Sequence, residues 1–327
     1  VTPQRGSTAI DEAWEAVSTI RVILKQQSAA MTVTKQAVFV RSAADIESFR
    51  QLFRAYYGDR MPATSFIVQP PCGGQALAIE AWAVGGEDVA VQFPATDVVT
   101  IEYDDLRWIY AAGISSPAGE TIAYDESRSA FHELAERLQA AGACFRDVPR
   151  IWLYQGGITE LETTDSGEQR ERYRELNRAR TDFFQQQEAL GNMPRSRQGK
   201  ICYPASTGIG MAGRGLTISC MGLQSKRDDV HWQPLENPRQ TSAFDYAARY
   251  SAKSPKFSRA MAVRIGNYVT NWVSGTASIL DSETVHLGNA EKQTEQTLDN
   301  IERLISNENL DRHGLLGGGA QPVSYTH

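Results

Sequence analysis

One pattern is written more than once along this chain, and it constrains the fold before any single residue does. A strand-like run leads into an amphipathic helix, then a strand, a second helix and a closing pair of strands. The first-helix stretches are Asp11–Gln27, Ser129–Gly142 and Glu291–Asn307. The strands predicted after the first two are Gln36–Arg41 and Arg150–Gln155, and those that open a unit are Leu106–Gly113 and Tyr268–Gly275. Repetition on this scale gives every unit the same apolar face to bury, so the units are expected to pack on one another. It divides the chain into a partial unit (residues 1–87), a complete one (88–224) and a second partial one (225–327).

Periodicity fills in each unit. Ala13, Trp14, Val17, Ile20, Val22 and Ile23 fit one broad helical face. Ile46, Phe49, Leu52, Phe53 and Tyr56 do the same in a second helix, Ala44–Tyr57. Ser65–Val68 and Ala76–Val84 read as closing strands. In the middle unit the second helix is predicted at Glu168–Leu190. The last strands are predicted near Lys200–Tyr203 and Leu216–Met221, with a loop Pro204–Gly215 between them. The third unit opens with a weakly periodic stretch, Lys226–Lys256, followed by a strand at Ala260–Gly266. Strands that carry two helices on one face predict an α+β fold, and the helical crossovers predict mixed sheets with parallel pairs. The other face of each sheet then needs a sister unit, within the chain as a pseudo-trimer or in a homo-oligomer.

Bulk properties narrow the function. Of 327 residues, 41% are hydrophobic and 22% charged, as in a soluble globular protein. A net charge of −6 disfavours nucleic acid as the main partner, because phosphate binding needs a basic face. No apolar run has the length of a membrane span, and the N-terminus lacks a signal-peptide pattern. Cys72, Cys144, Cys202 and Cys220 have neither CxxC nor zinc spacing, so they are expected as reduced core thiols of a cytoplasmic protein. His132, His231, His286, His313 and His327 include no i,i+4 pair, and no metal or other cofactor is expected. Gly208-Ile-Gly210-Met-Ala-Gly213 matches G-x-G-x-x-G, yet a strand-like run follows it where a dinucleotide site needs a helix. A glycine loop that lets backbone amides approach a small ligand fits better.

The stretch from Glu236 through Arg259 is richest in polar and aromatic groups, with Phe244, Tyr246, Tyr250 and Phe257. It reads either as a functional loop or as a surface loop held by salt bridges. Arg259 stands just before a strand, where a rigid element can fix a carboxylate. Arg178 and Arg180 lie on a charge-rich helix, a pattern that usually marks a solvated face.

These residues carry a resemblance. The repeated unit resembles the RidA/YjgF module, which assembles into trimeric, barrel-like structures with pockets between modules. The arginine that RidA-type deaminases use to bind a substrate carboxylate is missing from the matching turns, Pro62-Ala-Thr-Ser65 and Pro204-Ala-Ser-Thr207. From about residue 106 the chain is similar to the chorismatases, which split chorismate into pyruvate and a hydroxybenzoate or a dihydroxycyclohexadiene carboxylate. The matching stretches are Tyr173–Arg180, Pro204–Gly210, Glu236–Pro238, Tyr246, Phe257–Arg259, Ser274–Ala277, Thr284–His286 and Leu298–Ile301. The resemblance implies that Arg180, Tyr246 and Arg259 hold the carboxylates of a chorismate-like substrate. It implies that Gly275 marks the branch that makes 3-hydroxybenzoate. It places the catalytic glutamate in a strand beyond His327. A non-catalytic module that binds a small cyclic carboxylate, and an imine or enamine deaminase, are the alternatives.

Overall fold

The computed structural model describes residues 1–116, 122–164, 167–195, 199–242 and 255–315. They form two compact units. The first comprises Val1–Cys144, Trp152–Leu176 and Ile209–Ser225; the second comprises Phe145–Ile151, Asn177–Gly208 and Lys226–His327.

The first unit begins with α1 (Ala9–Lys25), β1 (Met31–Val40), α2 (Ile46–Tyr57), β2 (Ala63–Val68) and β3 (Leu77–Gly85). A capping box starts α1: the Thr8 hydroxyl accepts from the Asp11 amide, and the Asp11 carboxylate accepts from the Thr8 amide. β1 is central, parallel to β2 and antiparallel to β3. Alternation along β1 gives this sheet two buried faces. Val33, Val38 and Val40 join Phe66, Leu77 and Ile79 under Ala16, Val17, Phe49 and Phe53 of the two helices. On the opposite face Ala37 and Ile67 meet Tyr154, and Ala63 meets Val99 and Ala112.

Those last residues belong to a six-stranded sheet. The elements of this stretch of the chain are β4 (Ala90–Ala95), β5 (Val98–Tyr103), β6 (Leu106–Ser115), α3 (Ala123–Ala140), β7 (Arg150–Gly156), β8 (Leu161–Thr163), β9 (Gln169–Glu171), α4 (Arg172–Ala189), β10 (Ala205–Met211) and β11 (Leu216–Ser225). The strand order is β10-β7-β11-β6-β5-β4, with β8 and β9 forming a separate hairpin. The two sheets meet across the apolar residues named above and one polar tie. The hydroxyls of Ser65 and Ser219 are 2.7 Å apart, and Ser65 Oγ accepts from the Gly113 amide at 2.8 Å. Gly113 has φ +76°, and a Cβ there would lie 2.3 Å from the Thr64 carbonyl oxygen. Gly113→Ala is therefore expected to cost at least about 2 kcal/mol, from left-handed strain and overpacking together, read as a lowered midpoint in urea unfolding.

The second unit holds β12 (Val230–Leu235), β13 (Ala260–Ile265), β14 (Tyr268–Val273), a small hairpin of β15 (Ile279–Leu280) and β16 (Glu283–Thr284), then α5 (Ala290–Leu304) and α6 (Asn307–Arg312). β13 is central and antiparallel to both neighbours. Its core is Leu235, Ala260, Ala262, Leu304, Ile305, Leu310 and Leu315. Asn300 is fully buried in α5 and donates to the carbonyls of Ala277 and Ile279, which ties the helix to the chain after β14.

The α+β class and the mixed sheets are those the repeat predicts. Among the described residues the sheets are open, and none closes into a barrel. Several local expectations are corrected. The loop expected at Pro204–Gly215 is mostly β10, because Ile209 and Met211 pack beside Tyr154 and Trp152. The helix expected from Glu168 starts at Arg172, since Gln169–Glu171 pairs with Leu161–Thr163 instead. β12 lies inside the weakly periodic stretch, its register set by pairing with β13. Cys72 is exposed and Cys144 half-buried, so only Cys202 and Cys220 are core thiols.

Candidate functional site

Arg180 lies on the third turn of α4, and α4 does not present it to solvent: it is 2% exposed. Its Nη1 donates to Ser206 Oγ at 3.2 Å and its Nη2 to Asn177 Oδ1 at 2.6 Å. Arg259 immediately precedes β13 and is 3% exposed. Its Nη2 donates to the Thr241 carbonyl at 2.9 Å, and its amide donates to Glu236 Oε1 at 3.3 Å. One aromatic ring serves both arginines. The guanidinium carbons of Arg180 and Arg259 lie 5.4 and 5.8 Å from the centroid of Phe257. Ring faces attract cations, and a desolvated guanidinium gains most from that contact.

A hydroxyl-rich weave holds these side chains in register. Ala205 bridges Ser258 in parallel. Ser258 Oγ donates to the Tyr203 carbonyl at 2.8 Å, and Ser274 Oγ donates to the Ser258 carbonyl at 2.6 Å. Ser274 Oγ also accepts from the Ser206 amide at 2.8 Å. The Gly275 amide donates to the Ser206 carbonyl at 3.1 Å. Gly275 thus sits one strand spacing from Ser206, the residue that Arg180 touches. The structure brings Arg180, Arg259 and Gly275 together in the second unit. Tyr246, the fourth predicted ligand, lies outside the described residues.

Sequence reasoning missed Arg150, which is 5% exposed at the start of β7 and donates through Nη2 to Thr207 Oγ1 at 2.6 Å. The turn Pro204-Ala-Ser-Thr207 has no arginine of its own. Its two hydroxyls each take one from elsewhere in the chain, Ser206 from Arg180 and Thr207 from Arg150. The adjacent hydroxyls were the available signal. Which arginines would reach them depends on the positions of β7 and α4, and no local pattern gives that.

The arrangement suits planar anions. A guanidinium offers a fork of N–H donors that matches a carboxylate, and taking it out of water strengthens the charge-assisted bonds it makes. His313 is committed to structure: its Nε2 accepts from the Glu236 amide, and its Nδ1 lies 2.7 Å from the Asn309 carbonyl. Among the described residues no group of three His, Cys, Asp or Glu could hold a metal ion, and no helix is long and apolar enough to cross a membrane. Burial pushes the Cys220 thiol up to about 12. At pH 8 a thiol reagent is expected to label exposed Cys72 and leave Cys220 untouched until the protein unfolds, checked by peptide mapping of the labelled sites.

No family model matches the chain. A 3-hydroxybenzoate synthase from Streptomyces hygroscopicus is 33% identical over 245 residues, which are 73% of this chain and 64% of that protein. A chorismatase from Streptomyces rapamycinicus is 35% identical over 178 residues, 54% of this chain and 48% of that protein. The chain thus spans less than two thirds of the length of these curated relatives. The crystal structure of a chorismatase matches with a TM-score of 0.60 at 23% identity, covering 88% of this chain and 76% of that one. Over those 245 residues the chain is a homologue of a 3-hydroxybenzoate synthase, and it shares its fold with a chorismatase.

Proposed function

We propose that this chain carries the carboxylate-holding part of a chorismatase-type site, which cleaves chorismate to pyruvate and a hydroxybenzoate, with 3-hydroxybenzoate the favoured product. One observation carries the reading: two buried guanidinium groups lie against the same ring, Phe257, beside a glycine at position 275. Chorismate is a dianion that bears a carboxylate on its ring and another on its enolpyruvyl arm. Arg180 and Arg259 supply two fixed cations for them, and Tyr246 supplies a hydrogen bond to one. A dianion presents one carboxylate to each of the two guanidinium groups, so it is a charge-complementary ligand.

The chemistry needs a proton on the enolpyruvyl methylene, delivered by a carboxyl group acting as general acid. The bond from the ether oxygen to the ring carbon then breaks, and that oxygen leaves as the keto oxygen of pyruvate. The neighbouring ring hydroxyl oxygen takes its place on that carbon, and the ring returns one proton to the carboxylate as it becomes aromatic. Pyruvic acid and 3-hydroxybenzoic acid together contain the atoms of chorismic acid, so that route consumes no net water. The dihydroxycyclohexadiene route takes up one. Gly275 leaves room against the ring. We read the chain as RidA-like modules at 1–87, 88–224 and 225–327, acting in the cytoplasm as a homo-oligomer or an intramolecular pseudo-trimer.

The test is incubation of the chain with chorismate, assayed for pyruvate and 3-hydroxybenzoate, alongside calorimetric titration with 3-hydroxybenzoate. Turnover together with binding supports the proposal. Binding without pyruvate release supports the carboxylate-holding part and favours the non-catalytic module over the enzyme. Absence of both removes the site.

A further inference from the structure

Arg150 is nineteen-twentieths buried and donates to the hydroxyl of Thr207 at 2.6 Å. A threonine side chain has two heavy branches on Cβ, so fixing one branch fixes the other. With Oγ1 held by Arg150, Cγ2 is turned toward Gly275. A Cβ built on Gly275 would lie 3.4 Å from Thr207 Cγ2 and 3.7 Å from Thr207 Cα, and those are among the nearest atoms it would meet. The space opened by the missing side chain at 275 is therefore faced by a methyl group whose direction is set by a buried cation.

We propose that Arg150 is a positioning residue that acts through Thr207: it locks the rotamer that turns the threonine methyl to Gly275, and the pair sets the width and apolar character of the site at that point. This rests on the carboxylate-binding reading above and adds a specificity element to it. A free threonine could turn its hydroxyl to the ligand and offer a polar wall or an anchored water. The locked one offers a dry wall. That suits the face of a six-membered ring better than its carboxylate.

Two readouts separate the idea from its parent. The first needs no ligand. In the full chain with 13C-labelled threonine, the three-bond couplings of the Thr207 methyl are expected to report one rotamer. Arg150→Met is expected to give averaged couplings, with the urea midpoint of each protein monitoring the fold. Averaged couplings in the unaltered protein would overturn the proposal whatever the ligand. The second readout is calorimetric affinity for 3-hydroxybenzoate across a double-mutant cycle. Arg150→Met is expected to weaken binding by about tenfold in the unaltered background, the scale set by misfit at one small group. It is expected to have little further effect on top of Thr207→Val, which keeps the branched shape and removes the hydroxyl. Equal effects in both backgrounds would show that Arg150 acts directly and would sink the relay. If the unaltered chain binds no 3-hydroxybenzoate, the parent reading fails, while the couplings still decide the locked rotamer.

Discussion

Replacing Arg259 by methionine is expected to weaken binding of 3-hydroxybenzoate by about a hundredfold, the scale seen when one member of a desolvated, hydrogen-bonded charge pair is truncated. The reason lies in where Arg259 stands. It is buried, anchored to the Thr241 carbonyl and laid against Phe257, so its charge is already stripped of water and oriented before a ligand arrives. Little reorganisation remains at the moment of binding, and most of the attraction goes into affinity. Arg259→Lys keeps the charge and loses the planar fork, and an intermediate loss of about tenfold is expected. Calorimetry on the three proteins checks both values, and an unchanged affinity in Arg259→Met would remove Arg259 from the site.

Much of this arrangement is legible in the sequence, for identifiable reasons. The helices α1 and α2 follow from periodicity because each has one face committed to a core, and β1, β2 and β3 read as short apolar runs because both faces of their sheet are covered. Arg259 could be singled out because it stands at the end of a polar stretch and immediately before an apolar strand. Arg180 could not be separated from Arg178 by composition, since both lie among charges on a helix that looks solvated. Burial distinguishes them: Arg180 is covered because the hydroxyl-bearing segment Ala205–Thr207 runs alongside α4, a long-range fact. β10 was hidden for a related reason. Gly208 and Gly210 punctuate it like a loop, and only the packing of Ile209 and Met211 makes it a strand. β12 was hidden by polar residues and by Pro234, which a strand tolerates where no ladder hydrogen bond is required of it.

The largest effect on stability is expected at a residue that is not proposed to touch substrate, Arg172. This side chain is 1% exposed, among the largest fully buried groups in the protein. Its Nη2 donates to Glu126 Oε2 at 2.5 Å, its Nη1 to Glu162 Oε2 at 2.6 Å and its Nε to the Gly156 carbonyl at 2.9 Å. Three donors of one guanidinium therefore join α3, the β8 strand and the end of β7 at the first residue of α4. The Arg172 carbonyl also accepts from Gln155 Nε2 at 3.0 Å. Glu126 is itself 2% exposed. Arg172→Met would leave two carboxylates facing each other with no cation between them, at least one of them out of water. The cost expected is about 4 kcal/mol, the scale of breaking a buried ion pair from one side. That would lower the urea midpoint by well over a molar, taking a typical slope of about 2 kcal/mol per molar. Neutralising the stranded charges discriminates this from simple misfit. The triple variant Arg172→Met, Glu126→Gln, Glu162→Gln should recover more than half of the loss, because what destabilises the single variant is uncompensated charge and not the missing volume. If the triple variant is no more stable than the single one, the guanidinium acts by filling space and by its bond to Gly156, and the electrostatic account of this junction fails.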